Sequence, residues 1–407
     1  VRKLIIPLLI SMLVAGIYQP VQAQEEVQVV GLRVTHRFGE RIDLEARIDA
    51  ESDIQSLQVV FSSKDQPSFV KDPVTISPDG EVAFSLDLSQ RPIQAFSEIE
   101  IHFEILLTDG STINTEPTRY YYDDNRFDWQ IQQSEAFTVF WYQDDPDLGD
   151  EIIAVANDGW ERIRSQFVVP EPEGILIYAY SNIVDMQDTL VVSGGSFYWI
   201  AGHAVSDLGV IIVSIPPGPE QSLEIRRQIP HELMHVLLYR KLGPDYSNLP
   251  RWLNEGLASI AELSPNPDYQ ILLERAYERE ALIPIRDLCA SFPVDAANFQ
   301  LSYAEAYDFT WYLQQTYGNE VIEALIQSYA GGLDCEKGIE PVLDRSLSEL
   351  EAEWRQDVFN EDRSQFNWVD VLPFVIIVGF AFIAPIGLVV LGIGRRRTSG
   401  PRGKSSK

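Results

Sequence analysis

His231-Glu232-Leu233-Met234-His235 is the stretch that most restricts what this chain can become. Two histidines four residues apart share a face only on a helix, where they stand one turn apart. Both imidazoles can then reach one zinc ion, with Glu232 beside the water that zinc would hold. A zinc site that keeps a position open takes three protein ligands, and Glu255 in Trp252-Leu253-Asn254-Glu255-Gly256-Leu257-Ala258 is the candidate third. The pattern therefore predicts one helix over 222–241, ended by Gly243-Pro244, and a second over 251–263, ended by Ser264-Pro265. Pro230 precedes His231, so the first helix either kinks there or starts with proline at its first position. Both alternatives keep His231 and His235 on one face.

The two ends predict a compartment. Arg2 and Lys3 precede an apolar run at 4–17 and then Val21-Gln22-Ala23, which reads as a secretory signal peptide (1–23) cut after Ala23. An uncleaved anchor is the rival reading, but the run is short and contains Pro7. Val1 suits a bacterial alternative start codon. Residues 371–393 carry no charge, and a helix of that length covers about 35 Å against a bilayer core of about 30 Å. Trp368 stands at its edge, and Arg395, Arg396 and Arg397 follow it. Pro373 and Pro385 inside the run are tolerated in membrane helices. These features predict a single transmembrane helix over 368–393, a basic cytoplasmic tail at 394–407, and residues 24–367 outside. The formal net charge of −30 leaves no basic face for nucleic acid, which is excluded as a partner. Cys289 and Cys335 belong to no closely spaced metal motif, and outside the cell they are expected to form one disulfide.

The hydrophobic period changes along the chain, which has length enough for two or three domains. Ile42, Leu44, Ala46 and Ile48 alternate with charged residues, as do Val82 to Leu88 and Ile99 to Leu107. With 29–35, 57–61 and 119–122, six or seven short strands fit an immunoglobulin-like β-sandwich over 24–125. Asp123-Asp124-Asn125 reads as its boundary, and the isolated His36 and His102 carry no chemistry of their own. What the sandwich binds is not legible. From 126 to 365 the expectation is an α+β domain: strands at 135–142, 174–180 and 208–215, and a helix at 150–167 on which Ile153, Ala156, Trp160, Ile163 and Phe167 recur at three or four. If 208–215 is an edge strand, an extended peptide could pair with it. Helices are also predicted over 319–329 and 346–359, the latter opened by a Ser346–Glu349 capping box.

The motif 231–235 followed by Pro250-Arg251-Trp252-Leu253-Asn254-Glu255-Gly256-Leu257-Ala258 resembles the gluzincin metallopeptidases, in particular the peptidase MA-like group related to the aminopeptidase N family. The resemblance covers about residues 127–360. It departs in one extra residue between His235 and Glu255 and in Leu257 where phenylalanine is usual. It implies a zinc peptidase that binds one Zn2+ through His231, His235 and Glu255, with Glu232 as general base. Leu301-Ser302-Tyr303-Ala304-Glu305-Ala306-Tyr307 opens a predicted helix running to Tyr317-Gly318, and is similar to the family's segment bearing a transition-state tyrosine. On that match Tyr303 takes the role and Tyr307 is the reserve, although Glu305 and Ala306 stand where lysine and glycine are usual. The Gly-x-Met-Glu-Asn motif that recognises a free amino terminus is absent, and 193–199 lies in its place. The expectation moves from aminopeptidase to endopeptidase or another specificity. Glu262, two turns past Glu255, is a candidate partner for a ligand histidine. The competing reading is a catalytically idle, zinc-binding scaffold or adhesion protein tethered to the membrane. The presence of Glu232 counts against it.

Overall fold

The structure, a computed structural model, describes residues 27–63, 69–192 and 201–359. The predicted leader, the 193–199 stretch, the apolar run at 371–393 and the basic tail lie outside these residues. Among the described residues no helix is long and apolar enough to cross a membrane. The chain divides into two compact units, one of Val1–Gly243 with Ala261–Ser264, the other of Pro244–Ile260 with Pro265–Lys407.

The first unit opens with two antiparallel sheets. One orders β1 (Gln28–Arg37), β2 (Arg41–Asp49) and β5 (Glu81–Asp87); the other orders β4 (Val70–Pro73), β3 (Ile54–Ser62), β6 (Ser97–Leu107) and β7 (Thr112–Asn114), with β8 (Thr118–Tyr122) also on β6. The alternation is the cause: Ile42, Leu44, Ala46 and Ile48 are all buried, while the charged residues between them face out. β4 and β7 are too short to show any period, which is why the alternation did not announce them.

A third sheet follows, ordered β12 (Gly202–Val205), β13 (Val210–Ser214), β11 (Ile175–Tyr180), β10 (Phe137–Trp141) and β9 (Gln130–Gln133). β10, β11 and β13 are parallel, while β9 and β12 run antiparallel at the two edges. The strand expected at 208–215 is therefore not an edge. Every residue of β13 is buried, as a continuous apolar run predicts for an interior strand, and β12 takes the edge. Asp124 is buried at the junction with the sandwich. It accepts from Arg126 at 2.7 Å, from the Tyr180 hydroxyl at 2.9 Å and from Thr189 at 2.9 Å. Its full set of partners explains how a buried carboxylate is tolerated there. Helix α1 (Leu148–Gln166) joins β10 to β11, and α2 (Ile183–Val192) follows β11. Helix α3 (Gln221–Leu242) continues through Pro230, so of the two alternatives the helix does not begin there.

The second unit is helical: α4 (Arg251–Ala261, its last residue in the first unit), α5 (Asp268–Glu278), α6 (Ala296–Tyr317), α7 (Asn319–Ala330), α8 (Glu340–Leu343) and α9 (Leu347–Phe359). Trp252, Phe309, Tyr329 and Trp354 are fully buried and meet edge to face in its core. Ser346 and Glu349 exchange bonds at the start of α9, Ser346 N–H to Glu349 at 2.8 Å and Glu349 N–H to Ser346 Oγ at 3.2 Å. α6 begins earlier than Leu301 because Asp295 caps it, accepting from Asn298 N–H at 3.1 Å. Gly256, directly after Glu255, lies against Thr310 and the Ala306 carbonyl on α6, leaving no space for a side chain. The motif's glycine is thus a packing requirement of α4 on α6. Cys289 and Cys335 are joined, with Cα atoms 6.0 Å apart.

Candidate metal centre

α3 sets His231 and His235 one turn apart, their ring centroids separated by 5.1 Å. His235 and Glu232 are buried, and the His231 side chain is 12% exposed, open enough for a ligand to be reached. His231 Nδ1 lies 3.1 Å from Glu262 Oε1. A carboxylate accepts there, so Nδ1 carries the hydrogen and Nε2 keeps the lone pair a metal needs. Burial pushes the Glu262 carboxyl up, against the downward pull of its hydrogen bond from His231.

Glu232 is shaped by the edge strand. A Cβ built on Gly202 of β12 would lie 2.6 Å from Glu232 Oε1, closer than any real contact. Only glycine leaves the carboxylate its place. Gly202→Ala is expected to lower kcat about 100-fold by pushing that flexible carboxylate aside, with bound metal and thermal stability close to wild type. Steady-state kinetics together with metal analysis check this.

On α4, Glu255 is buried and Nη2 of Arg251, one turn earlier, lies 2.9 Å from its Oε1. Glu255 above all, then Tyr303, hold the Arg251 guanidinium pKa up against partial burial. The Arg251 N–H donates to the Cys289 carbonyl at 2.7 Å, which anchors the first turn of α4 beside the disulfide. Sequence reasoning passed over Arg251. The signal available was its opposite charge four residues before Glu255. Gly202 gave no signal at all, because its reason lies on another element.

His231, His235 and Glu255 each offer one ligand atom, and these atoms lie within 4.8 Å of one another. Two imidazoles and one carboxylate, with one imidazole already oriented by Glu262, suit a zinc ion with one open position. Tyr303 is hydrogen-bonded to Arg251, and its ring packs on Phe292 and Phe299 with centroids 5.1 Å away in each case. Tyr307 instead packs on Tyr269 and Trp311.

Glu305 is fully buried, with Oε1 accepting the Ile283 N–H at 2.9 Å and Oε2 making no hydrogen bond among the described residues. Burial raises its pKa from 4.5 to about 8. A carboxyl whose folded pKa exceeds its unfolded one contributes most below pH 4.5 and loses that contribution as pH rises to about 8. Each unit is worth roughly 1.4 kcal/mol at most. Glu305→Gln should therefore gain on wild type progressively over that window, read as the difference in denaturant stability between pH 5 and pH 9.

No curated protein matches the chain. Among solved structures, OgpA from Akkermansia muciniphila is similar at 13% identity over 25% of this chain and 28% of that one, with a TM-score of 0.22. Catalytically inactive OgpA in complex with an O-glycopeptide substrate gives 14% identity over 27% and 32%, with a TM-score of 0.20. CopC from Methylosinus trichosporium OB3b gives 13% identity over 24% and 94%, with a TM-score of 0.18. The chain spans less than a third of the OgpA structures it matches, and overlaps this loose carry no functional argument. A family model described as the peptidase MA superfamily matches residues 155–360, more than half of the chain, and takes in α3, α4 and the three grouped ligand side chains. The chain belongs to the peptidase MA superfamily.

Proposed function

We propose that this protein is a zinc-dependent peptidase of the gluzincin plan. The observation that carries the reading is the grouping of His231, His235 and Glu255 around one point, with Glu232 on the same helix as both histidines. Zinc held by these three side chains would supply Lewis acidity at the scissile carbonyl. Glu232 takes a proton from the attacking water and returns it to the leaving amine. Tyr303, steadied by Arg251, donates to the developing oxyanion. The substrate lies extended along β12, the edge strand among the described residues, pairing its backbone with that strand next to Glu232. An endopeptidase specificity accords with the missing free-amine motif.

The protein acts outside the membrane. The support is the signal-like leader, the uncharged run at 371–393 and the three arginines after it, which together describe a single-pass anchor with an extracytoplasmic body. The immunoglobulin-like sandwich serves as a spacer or binding module. Metal analysis of the purified protein should give about one zinc per chain, the single-site value. Cleavage of a peptide library should stop on chelation and return with zinc. Zinc bound without cleavage would favour the idle scaffold, and no metal at all would overturn both.

A further inference from the structure

Pro230 lies inside α3 and has no N–H to give the carbonyl of Arg226, four residues back. That carbonyl accepts instead from the N–H of Leu263, at 3.0 Å. Leu263 directly follows Glu262, the residue whose Oε1 meets His231 Nδ1. Arg226, Pro230, His231, Glu262 and Leu263 all belong to the first unit. The Glu262 carboxylate is buried, and its Oε2 makes no hydrogen bond among the described residues, so among them one side-chain contact ties it to His231. The backbone bond of the next residue is the second tie.

We propose that Pro230 is a positioning residue for the metal centre. Its ring pushes the Arg226 carbonyl out of the α3 ladder, that carbonyl docks the 261–264 segment through Leu263, and the dock holds Glu262 against His231. Proline inside a helix is costly, and here the cost sits one residue from a metal ligand. The neighbouring helix leaves room for the ring: a Cβ on Gly159 of α1 would lie 2.9 Å from Pro230 Cβ. Alanine at 230 would keep that Cβ while restoring an N–H that draws the Arg226 carbonyl back into the ladder.

The proposal rests on His231 being a zinc ligand, and its test separates the two ideas. Zinc affinity is measured by chelator competition in wild type, Pro230→Ala, Glu262→Gln and the double variant. Exchange of the Leu263 amide is measured in the same proteins without metal. Glu262→Gln is expected to weaken zinc 10- to 100-fold and Pro230→Ala about 10-fold. The double variant should bind no worse than Glu262→Gln alone, because both act through the same carboxylate. The Leu263 amide should exchange faster in Pro230→Ala, a change that a general loss of packing confined to the zinc ligands would not produce. Zinc affinity within twofold of wild type in Pro230→Ala, additive losses in the double variant, or an equally protected Leu263 amide would overturn the proposal. A wild type that takes up no zinc would refute the metal reading, while the amide exchange still decides the dock.

Discussion

Glu232→Gln should lower peptide cleavage by about 10²- to 10⁴-fold, the usual share of a positioned general base, with close to one zinc retained per chain. Glutamine keeps the volume and shape that fit against Gly202, so packing between α3 and β12 survives the change. It cannot take a proton from water. Because Glu232 is not one of the three grouped ligand side chains, metal content should not move. The measurement pairs kcat/KM on a cleaved library peptide with metal analysis of the same preparation. Cleavage that persists at the wild-type rate would remove Glu232 from the mechanism.

Breaking the Cys289–Cys335 bond is expected to cost about 4 kcal/mol of stability, from the chain-entropy estimate for a closed loop of this length. The sequence separation is 46 residues. The effect should extend to metal affinity. The Cys289 carbonyl holds the first N–H of α4, and Glu255 lies one turn further along that helix. Loosening residue 289 therefore loosens the start of the helix that carries Glu255, the proposed third ligand. Denaturant unfolding of the Cys289→Ser, Cys335→Ser double variant, with chelator competition under oxidising and reducing conditions, measures both effects. Stability and zinc affinity that are indifferent to reduction would show that the bond anchors nothing.

Much of the local structure was legible because it depends on neighbours in the chain. The alternation at 42–48 and 99–107, the helical spacing in α1 and the Ser346–Glu349 cap each need only a few adjacent residues to be read. Short edge strands such as β4 and β7 were not legible, since three or four residues cannot display a period. The start of α6 was misplaced because the apolar pattern begins later than the Asp295 cap.

The sequence by itself determined that His231 and His235 face one way, that Glu255 is the available third ligand type, and that Glu232 stands between the histidines. Those conclusions follow from residue type and helical spacing. Tertiary structure alone decided that β12, and not 208–215, forms the sheet edge, and that Gly202 makes room for the Glu232 carboxylate. It also decided that Arg251 braces Glu255 and that Leu263 takes the carbonyl Pro230 leaves free. The parallel pairing of β13 with β11, the Gly202 contact and the Leu263 bond join residues tens of positions apart, and their causes are strand pairing, steric fit and an unpaired backbone group. The Arg251–Glu255 pair had the right spacing, but only the fold shows which face of α4 it occupies.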